Sequence, residues 1–358
     1  MKAVILAAGL GTRLHPVTLT MPKSLVPVAN QSLIVYAIEM LKGAGLTEIG
    51  IVVHSMRSPI CKRLGDGQEF GVNVQYIVQA QQSGLAHATL LCEDFVGDDS
   101  FTVFLGDNIF QDDMHGLLTG FKDSDISAAI ALSKVPDPER FGIAEVRDGQ
   151  VIRVEEKPSQ SKSNLAICGV YLFRPSIFEA IRTIKPSWRN ELEITDAIQA
   201  LIENGEQVNS YVIDGWWIDA GKPDAIIQAN QLVLGDLDYT PAPVDHEAIC
   251  GDSEVGPRVH LGTGTKVEHS VIRGPVIIGD RVTIRDSYIG PYTSVGDDVI
   301  IEGSEIEASI VMRDCQLRNV PGRLDSSLLA DFSRVTAARD SVPAVRRFIL
   351  AENSYIQL

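Results

Sequence analysis

Residues 1–14 read MKAVILAAGLGTRL, and the first seven decide the fold. Residues 2–7 form an apolar run far too short to cross a membrane. It breaks at once into Gly-Leu-Gly-Thr-Arg, which reads as the end of a buried strand rather than a signal peptide. Working outward, further short apolar runs at 48–54, 74–78, 101–105 and 126–132 predict strands, and helical spacing appears at 33–44 and 85–95. Strands alternating with helices predict a doubly wound, mostly parallel α/β sheet covered on both faces. Ligands of such sheets bind outside the C-terminal ends of the strands. The loops that start at Ala8 and Gly106 are therefore the first candidates for a site.

The grammar changes near residue 245. Apolar residues, often with glycine behind them, recur about every sixth position: Val255-Gly256, Leu261-Gly262, Val267; then Ile272, Ile278-Gly279, Ile284; then Ile289-Gly290, Val295-Gly296, Ile301. The three series start 17 residues apart, and Ile306 opens a fourth, less regular one. This hexapeptide repeat predicts a left-handed parallel β-helix of about four coils. The expected layout is a first domain over 1–235, a Pro- and Asp-rich linker over 236–248 (DLDYTPAPVDHEA), and the β-helix with its tail over 249–358.

A chain of 358 residues suits two ordinary domains, and its 45% apolar and 22% charged content is that of a globular protein. No run of about eighteen uncharged apolar residues is present, so no membrane span is expected. The 47 acidic residues outnumber the 31 Lys and Arg, a net charge of −16. A field of that sign disfavours nucleic acid and anionic membrane as partners. An anionic small substrate must then be met by a few placed cations. Cys61, Cys92, Cys168, Cys250 and Cys315 make no CxxC pair, which predicts reduced thiols and a cytoplasmic location.

The loop after the first strand supplies such cations. Gly9 and Gly11 let the backbone turn tightly and bring N–H groups near an anion. Arg13 offers a fork for phosphate oxygens, and Lys23 follows ten residues later. The pattern is not a Walker A loop and lacks the third glycine of the dinucleotide fingerprint.

The stretch LAAGLGTRLHPVT…PKSLVPVAN, with Gln79…Gly84-Leu85-Ala86, Leu105-Gly106-Asp107-Asn108, Phe141-Gly142, Glu155-Glu156-Lys157-Pro158, Asn190–Asp196 (NELEITD) and Trp217–Gly221 (WIDAG) in this order, resembles the sugar-phosphate nucleotidylyltransferases. The likeness is strongest to thymidylyl-transferring members with a C-terminal β-helix. It implies attack by a sugar-phosphate oxygen on the α-phosphorus of a nucleoside triphosphate, with release of pyrophosphate. The implied substrates are dTTP (or UTP) and glucose 1-phosphate, and the implied cofactor is Mg2+.

The resemblance assigns Ala8, Gly9, Gly11, Thr12, Arg13, Gln79, Gly84 and Asp107 to the nucleotide. It assigns Gly142, Glu156, Lys157, Gly169 and Val170 to the sugar phosphate; Glu191 reads either as a further contact there or as a surface helix residue. It gives Arg13, Lys23 and Lys157 catalytic roles, and Asp107 and Asp219 the metal. A homo-oligomer is also implied. A carboxamide such as Gln79 matches the N3–H and O4 edge of thymine or uracil; Gln81 and Gln82 are its competitors. His15, Trp216 and Trp217 read as structural. The β-helix reads as a structural or assembly element, with acyl transfer through His260 or His269 as the alternative. A silent regulatory subunit is disfavoured, because Arg13, Lys23, Asp107, Lys157 and Asp219 are all present.

Overall fold

The structure is a computed structural model and describes residues 1–111, 113–238 and 249–337. Contacts divide the chain into two compact units. Met1–Gly11, Met21–Leu25 and Leu33–Asp219 form the first; Thr12–Thr20, Val26–Ser32 and the residues from Ala220 onward form the second. Most of the expected linker, residues 239–248, lies outside the described residues, as does the tail from 338. Among the described residues no helix is long and apolar enough to cross a membrane.

The first unit is built on a nine-stranded sheet. Its strands are β1 (Lys2–Leu6), β2 (Glu48–Val53), β3 (Asn73–Val78), β4 (Phe101–Leu105), β5 (Ala128–Lys134), β6 (Gly142–Arg147), β7 (Gln150–Glu156), β8 (Leu165–Phe173) and β9 (Val208–Val212). They are ordered β3-β2-β1-β4-β8-β5-β9-β7-β6. β1 lies between β2 and β4 and runs parallel to both. Its unbroken apolar run has a direct cause. Val4 and Leu6 face one core cluster with Val52, Phe101 and Val103, while Ala3 and Ile5 face the other with Ile34, Ile38 and Ile51. A strand covered on both sides has no polar face to show.

β3, β2, β1 and β4 are the parallel part, and β9 runs parallel to β5. β8 is antiparallel to β4 and β5 and also meets β6, the partner of β7. The helix expected over 85–95 is two short helices, Leu85–Leu90 and Glu93–Val96. The ladder tightens between them, where Cys92 N–H donates to the Thr89 carbonyl three residues back.

The second unit contains three parallel sheets of six, five and five strands, the arrangement of a left-handed β-helix. Val267, Ile284 and Ile301 stack at the expected 17-residue interval. The coils then continue past the expected fourth: Leu317 stacks on Ile301 after 16 residues and Val335 on Leu317 after 18. Those one-residue changes hide the fifth coil from a search for a constant period. A serine ladder holds one corner. Ser270 Oγ accepts from Ser287 N–H at 3.0 Å, and Ser287 Oγ from Ser304 N–H at 3.2 Å. Arg281 forks onto Asp298 with two 2.7 Å bonds on the outside.

The helix α1 (Pro223–Asp236) groups with the coils. Its Asn230, fully buried, accepts from Ala29 N–H at 2.8 Å and Ser294 Oγ at 2.9 Å, and donates to the Tyr292 carbonyl at 3.0 Å. Ala29 and Asn30 form a two-residue hairpin turn with φ of 46° and 62°. A left-handed alanine is unfavourable on its own. The Asn230 clamp and a 2.7 Å bond from Asn30 Nδ2 to the Val295 carbonyl hold it. The hairpin at Ala29 and Asn30 is thus seated on α1 and the coils.

Asn230→Ala strands the buried Ala29 N–H and Ser294 hydroxyl, removes the bond to the Tyr292 carbonyl, and should lower stability by about 2 kcal/mol or more. Urea or thermal unfolding measures it. A midpoint equal to the parent's contradicts the clamp.

Candidate active site

Three site segments leave the C-terminal edge of the parallel strands, where the sheet's two faces give way to loops. Ala8 follows β1, Gln79 follows β3 and Asp107 follows β4. Gly106 N–H donates to the Leu6 carbonyl at 3.0 Å, and Gln79 N–H to the Val53 carbonyl at 2.9 Å. The strand ladder therefore fixes the backbone up to the functional side chains.

Just beyond Asp107, the short strand Asn108–Phe110 pairs antiparallel with Trp217–Asp219, placing Asp219 opposite Asn108. That pairing brings Asp107 and Asp219 onto one lysine. Lys23 Nζ donates to Asp107 Oδ2 and lies 3.5 Å from Asp219 Oδ1. Asn108 Nδ2 donates to the other Asp107 oxygen at 2.7 Å, and Trp217 Nε1 donates to Asn108 Oδ1 at 2.5 Å. Burial pushes the Asp107 carboxyl up, but the Lys23 charge and hydrogen bond, with the Asn108 amide, outweigh it and hold the group below the usual carboxylate range. Two hard oxygen anions gathered around one cation suit Mg2+, which takes few protein ligands and completes its shell with phosphate oxygens and water. Among the described residues no group of three or more metal-ligating side chains occurs, so the fit is to an ion shared with a substrate.

A second cluster gathers around Glu156. Its Oε1 lies 3.0 Å from Lys157 Nζ and 3.4 Å from Arg189 Nη1, and Thr195 Oγ1 donates to Oε2 at 3.4 Å. Arg189 also reaches Glu191 at 2.9 Å and Glu193 at 3.4 Å. Gly142 is tight here: a Cβ would sit 2.7 Å from Thr195 Cγ2 and 3.0 Å from Glu156 Oε2. Gly169, with φ 75° at the irregularity in β8, leaves room for the Leu105 side chain, and Val170 pairs with Phe104.

The two clusters are joined. The Trp217 ring, bonded to Asn108, lies 5.4 Å from that of Phe141, whose carbonyl accepts from Lys157 N–H at 3.0 Å. Tyr171 is buried, and its hydroxyl is pushed up by burial first and then by the negative charges of Glu156, Asp107 and Glu193.

Gln79 is buried. Its Nε2 donates to the Gly84 carbonyl at 3.2 Å and lies 3.1 Å from His87 Nδ1. With His87 Nδ1 as acceptor both amide hydrogens are used, and Oε1 is the acceptor that remains on Gln79. Its competitor Gln82 bonds the Ala8 carbonyl and His54 instead. Gly84, at φ 101°, makes room for protein: a Cβ would lie 2.3 Å from the Leu192 carbonyl oxygen. Leu192 N–H donates to the Ser83 carbonyl at 2.8 Å, and Ala86 N–H to the Leu192 carbonyl at 3.1 Å. The Gln79–Gly84 segment and the Glu191–Glu193 segment are therefore stitched backbone to backbone.

In the glycine loop, Gly11 has φ 64° and Gly9 has open space where a Cβ would go. Thr12 and Arg13 are exposed on the short 3₁₀ turn Thr12–Leu14, which groups with the second unit. Arg189 is the side chain that the sequence reading missed. Its one signal is its position directly before the NELEITD stretch.

Residues 2–235 match the family model described as nucleotidyl transferase. The whole chain is 46% identical to all of a low-salt glycan biosynthesis nucleotidyltransferase of Haloferax volcanii. It is 43% identical, again over its full length and 99% of the relative, to a glucose-1-phosphate thymidylyltransferase of Streptomyces antibioticus. Among solved structures, a Bacillus anthracis protein assigned as a glucose-1-phosphate thymidylyltransferase and crystallised with sucrose superimposes with a TM-score of 0.62 at 40% identity, over 67% of this chain and 97% of that one.

Two glycines of the site should respond oppositely to alanine. Gly84→Ala meets backbone and a left-handed φ, and should cost about 2 kcal/mol or more of stability. Gly9→Ala should fold within about 0.5 kcal/mol of the parent. Equal unfolding midpoints for the two variants contradict the Gly84–Leu192 packing.

Proposed function

This chain belongs to the nucleotidyl transferase family, and on that premise we propose that it transfers a thymidylyl group from dTTP to glucose 1-phosphate, giving dTDP-glucose and pyrophosphate. The observation that carries this reading is the convergence of Asp107 and Asp219 on Lys23, linked through Asn108, Trp217 and Phe141 to the Glu156–Lys157–Arg189 cluster. The full-length likeness to a thymidylyltransferase supports the choice of substrates.

Nucleophile and leaving group are both phosphate oxygens already ionised at neutral pH, so no strong base is required. The barrier lies in bringing two anions together in line. One oxygen of the sugar phosphate bonds to the α-phosphorus as the bond to the bridging oxygen of the β-phosphate breaks, and the electron pair leaves with pyrophosphate. Lys157 and Arg189 hold the sugar phosphate, and Glu156 accepts from sugar hydroxyls. Gly142, Gly169 and Val170 line the sugar side. Ala8, Gly9, Gly11 and Thr12 offer backbone to the triphosphate. Arg13 and Lys23 balance its charge as it shifts to the leaving group.

Asp107 and Asp219 would hold Mg2+, which when bound neutralises phosphate charge and polarises the α-phosphoryl group. Gln79 Oε1 accepts from the N3–H of thymine. Uracil shares that donor, whereas cytosine presents an acceptor there and is rejected. The cysteines, free among the described residues, suit a cytoplasmic enzyme, and we take the working form to be a homo-oligomer.

Pyrophosphate release with dTTP, UTP and dCTP against a panel of sugar phosphates tests the reading. The pair dTTP and glucose 1-phosphate should give the highest kcat/KM, with UTP next and dCTP inactive. No release with any pair refutes the assignment, and a preference for UTP moves it to uridylyl transfer. Asp107→Asn and Asp219→Asn should each cut turnover about tenfold or more, equivalent to ~1.4 kcal/mol of transition-state stabilisation; parent-like turnover in both contradicts their role.

Lys157→Ala should raise the KM for glucose 1-phosphate about tenfold while the dTTP KM stays within about twofold. The reverse pattern would exchange the two phosphate sites.

A further inference from the structure

Lys23 sits where it blocks the ion that its neighbours would hold. Its ammonium is within hydrogen-bonding distance of Asp107 Oδ2 and 3.5 Å from Asp219 Oδ1, and its side chain is only 11% exposed. A divalent ion bound to the same oxygens would approach each to about 2.1 Å. An ammonium has no lone pair to offer a metal and carries a charge that repels it. The two cations therefore exclude one another from the same pair of oxygens.

The lysine cannot simply leave. A buried ammonium that loses both carboxylates needs another anion, because an unpaired charge in that setting is costly. Water reaches it poorly, and the free protein holds its nearest carboxylates in place through Asn108 and the Asn108–Asp219 pairing. A triphosphate would supply the missing anion. Its oxygens would draw the flexible lysine stem away and release Asp107 and Asp219 together.

We infer that Lys23 is a built-in counter-cation that keeps divalent metal out of the Asp107–Asp219 pair until a triphosphate takes the lysine over. The inference rests on the metal-site reading above. It makes nucleotide and metal binding positively coupled, and by linkage the coupling is reciprocal. One residue thus guards the metal pair in the free protein and serves the phosphates once substrate is bound.

The test is Mn2+ binding by the full chain without sugar phosphate, read by the electron-spin signal of free Mn2+ and by thermal shift. It is run with Mn2+ alone and with the α,β-methylene analogue of dTTP, which cannot be cleaved at the α-phosphorus. The parent should bind Mn2+ weakly alone and about tenfold or more tightly with the analogue, after correction for Mn2+ held by the analogue in solution. Lys23→Met and Lys23→Gln should bind Mn2+ alone about tenfold more tightly than the parent, with a larger rise in Tm on adding Mn2+. Lys23→Arg, which keeps the charge, should stay weak.

Folded Met or Gln variants that bind Mn2+ no better than the parent overturn the inference and leave the metal site standing. If neither variant folds, the parent alone decides: equal Mn2+ affinity with and without the analogue overturns it. No protein-held Mn2+ under any condition overturns the metal-site reading and the inference with it.

Discussion

Two carboxylates and an ammonium meet just beyond the end of β4, and the surrounding structure is arranged to hold that meeting. β4 is gripped by β1 on one side and β8 on the other. Gly169 yields its Cβ space to Leu105, two residues before Asp107. Asp219 is brought in by a separate short strand whose partner begins at Asn108. No single element could bring these groups together. It takes a sheet edge, a two-stranded ribbon and a loop that returns from Lys23, and the loss of any one of them separates the charges.

The same logic recurs throughout the site. The chain carries a net charge of −16, yet its proposed substrates are polyanions. Three of the cations offered to them are already matched in the free protein: Lys23 by two aspartates, Lys157 by Glu156, and Arg189 by Glu156, Glu191 and Glu193. Binding then exchanges one anion for another instead of stripping water from a bare charge, which keeps the cations oriented before substrate arrives. The cost is competition from the resident carboxylates. It is smallest where the carboxylate has its own task in the complex, as proposed for Glu156 on the sugar and for Asp107 and Asp219 on the metal.

Burial made some elements legible and not others: β8, buried along nearly its whole length, was not among the expected strands. β1, β2 and β4 announce themselves because strands covered on both faces become unbroken apolar runs, and Val267, Ile284 and Ile301 announce the coils because each stacks on its equivalent. β7 mixes exposed Arg153 and Glu155 with buried Val151 and Val154, a pattern too short to separate from a loop. The fifth coil was hidden by steps of 16 and 18 residues. Within the site, motif residues were visible as motifs, whereas what connects them was not. Arg189 is one arginine in a polar loop, the Gly84–Leu192 stitch is made by backbone, and Asn230 is a single amide in a helix. The Gly84–Leu192 and Ala29–Asn230 contacts join positions more than a hundred residues apart, and none of these contacts leaves a periodic pattern in the sequence.

The central claim is that the site works by aligning and neutralising two phosphate groups, with no side chain of the protein bonding to phosphorus. The stereochemical course at the α-phosphorus tests it most directly. Chiral dTTP bearing sulfur on the α-phosphorus is turned over with glucose 1-phosphate, and the configuration of the product is read by phosphorus NMR. A single in-line displacement predicts inversion. Retention would require two displacements and a nucleotidyl group carried on the protein, and would contradict the account.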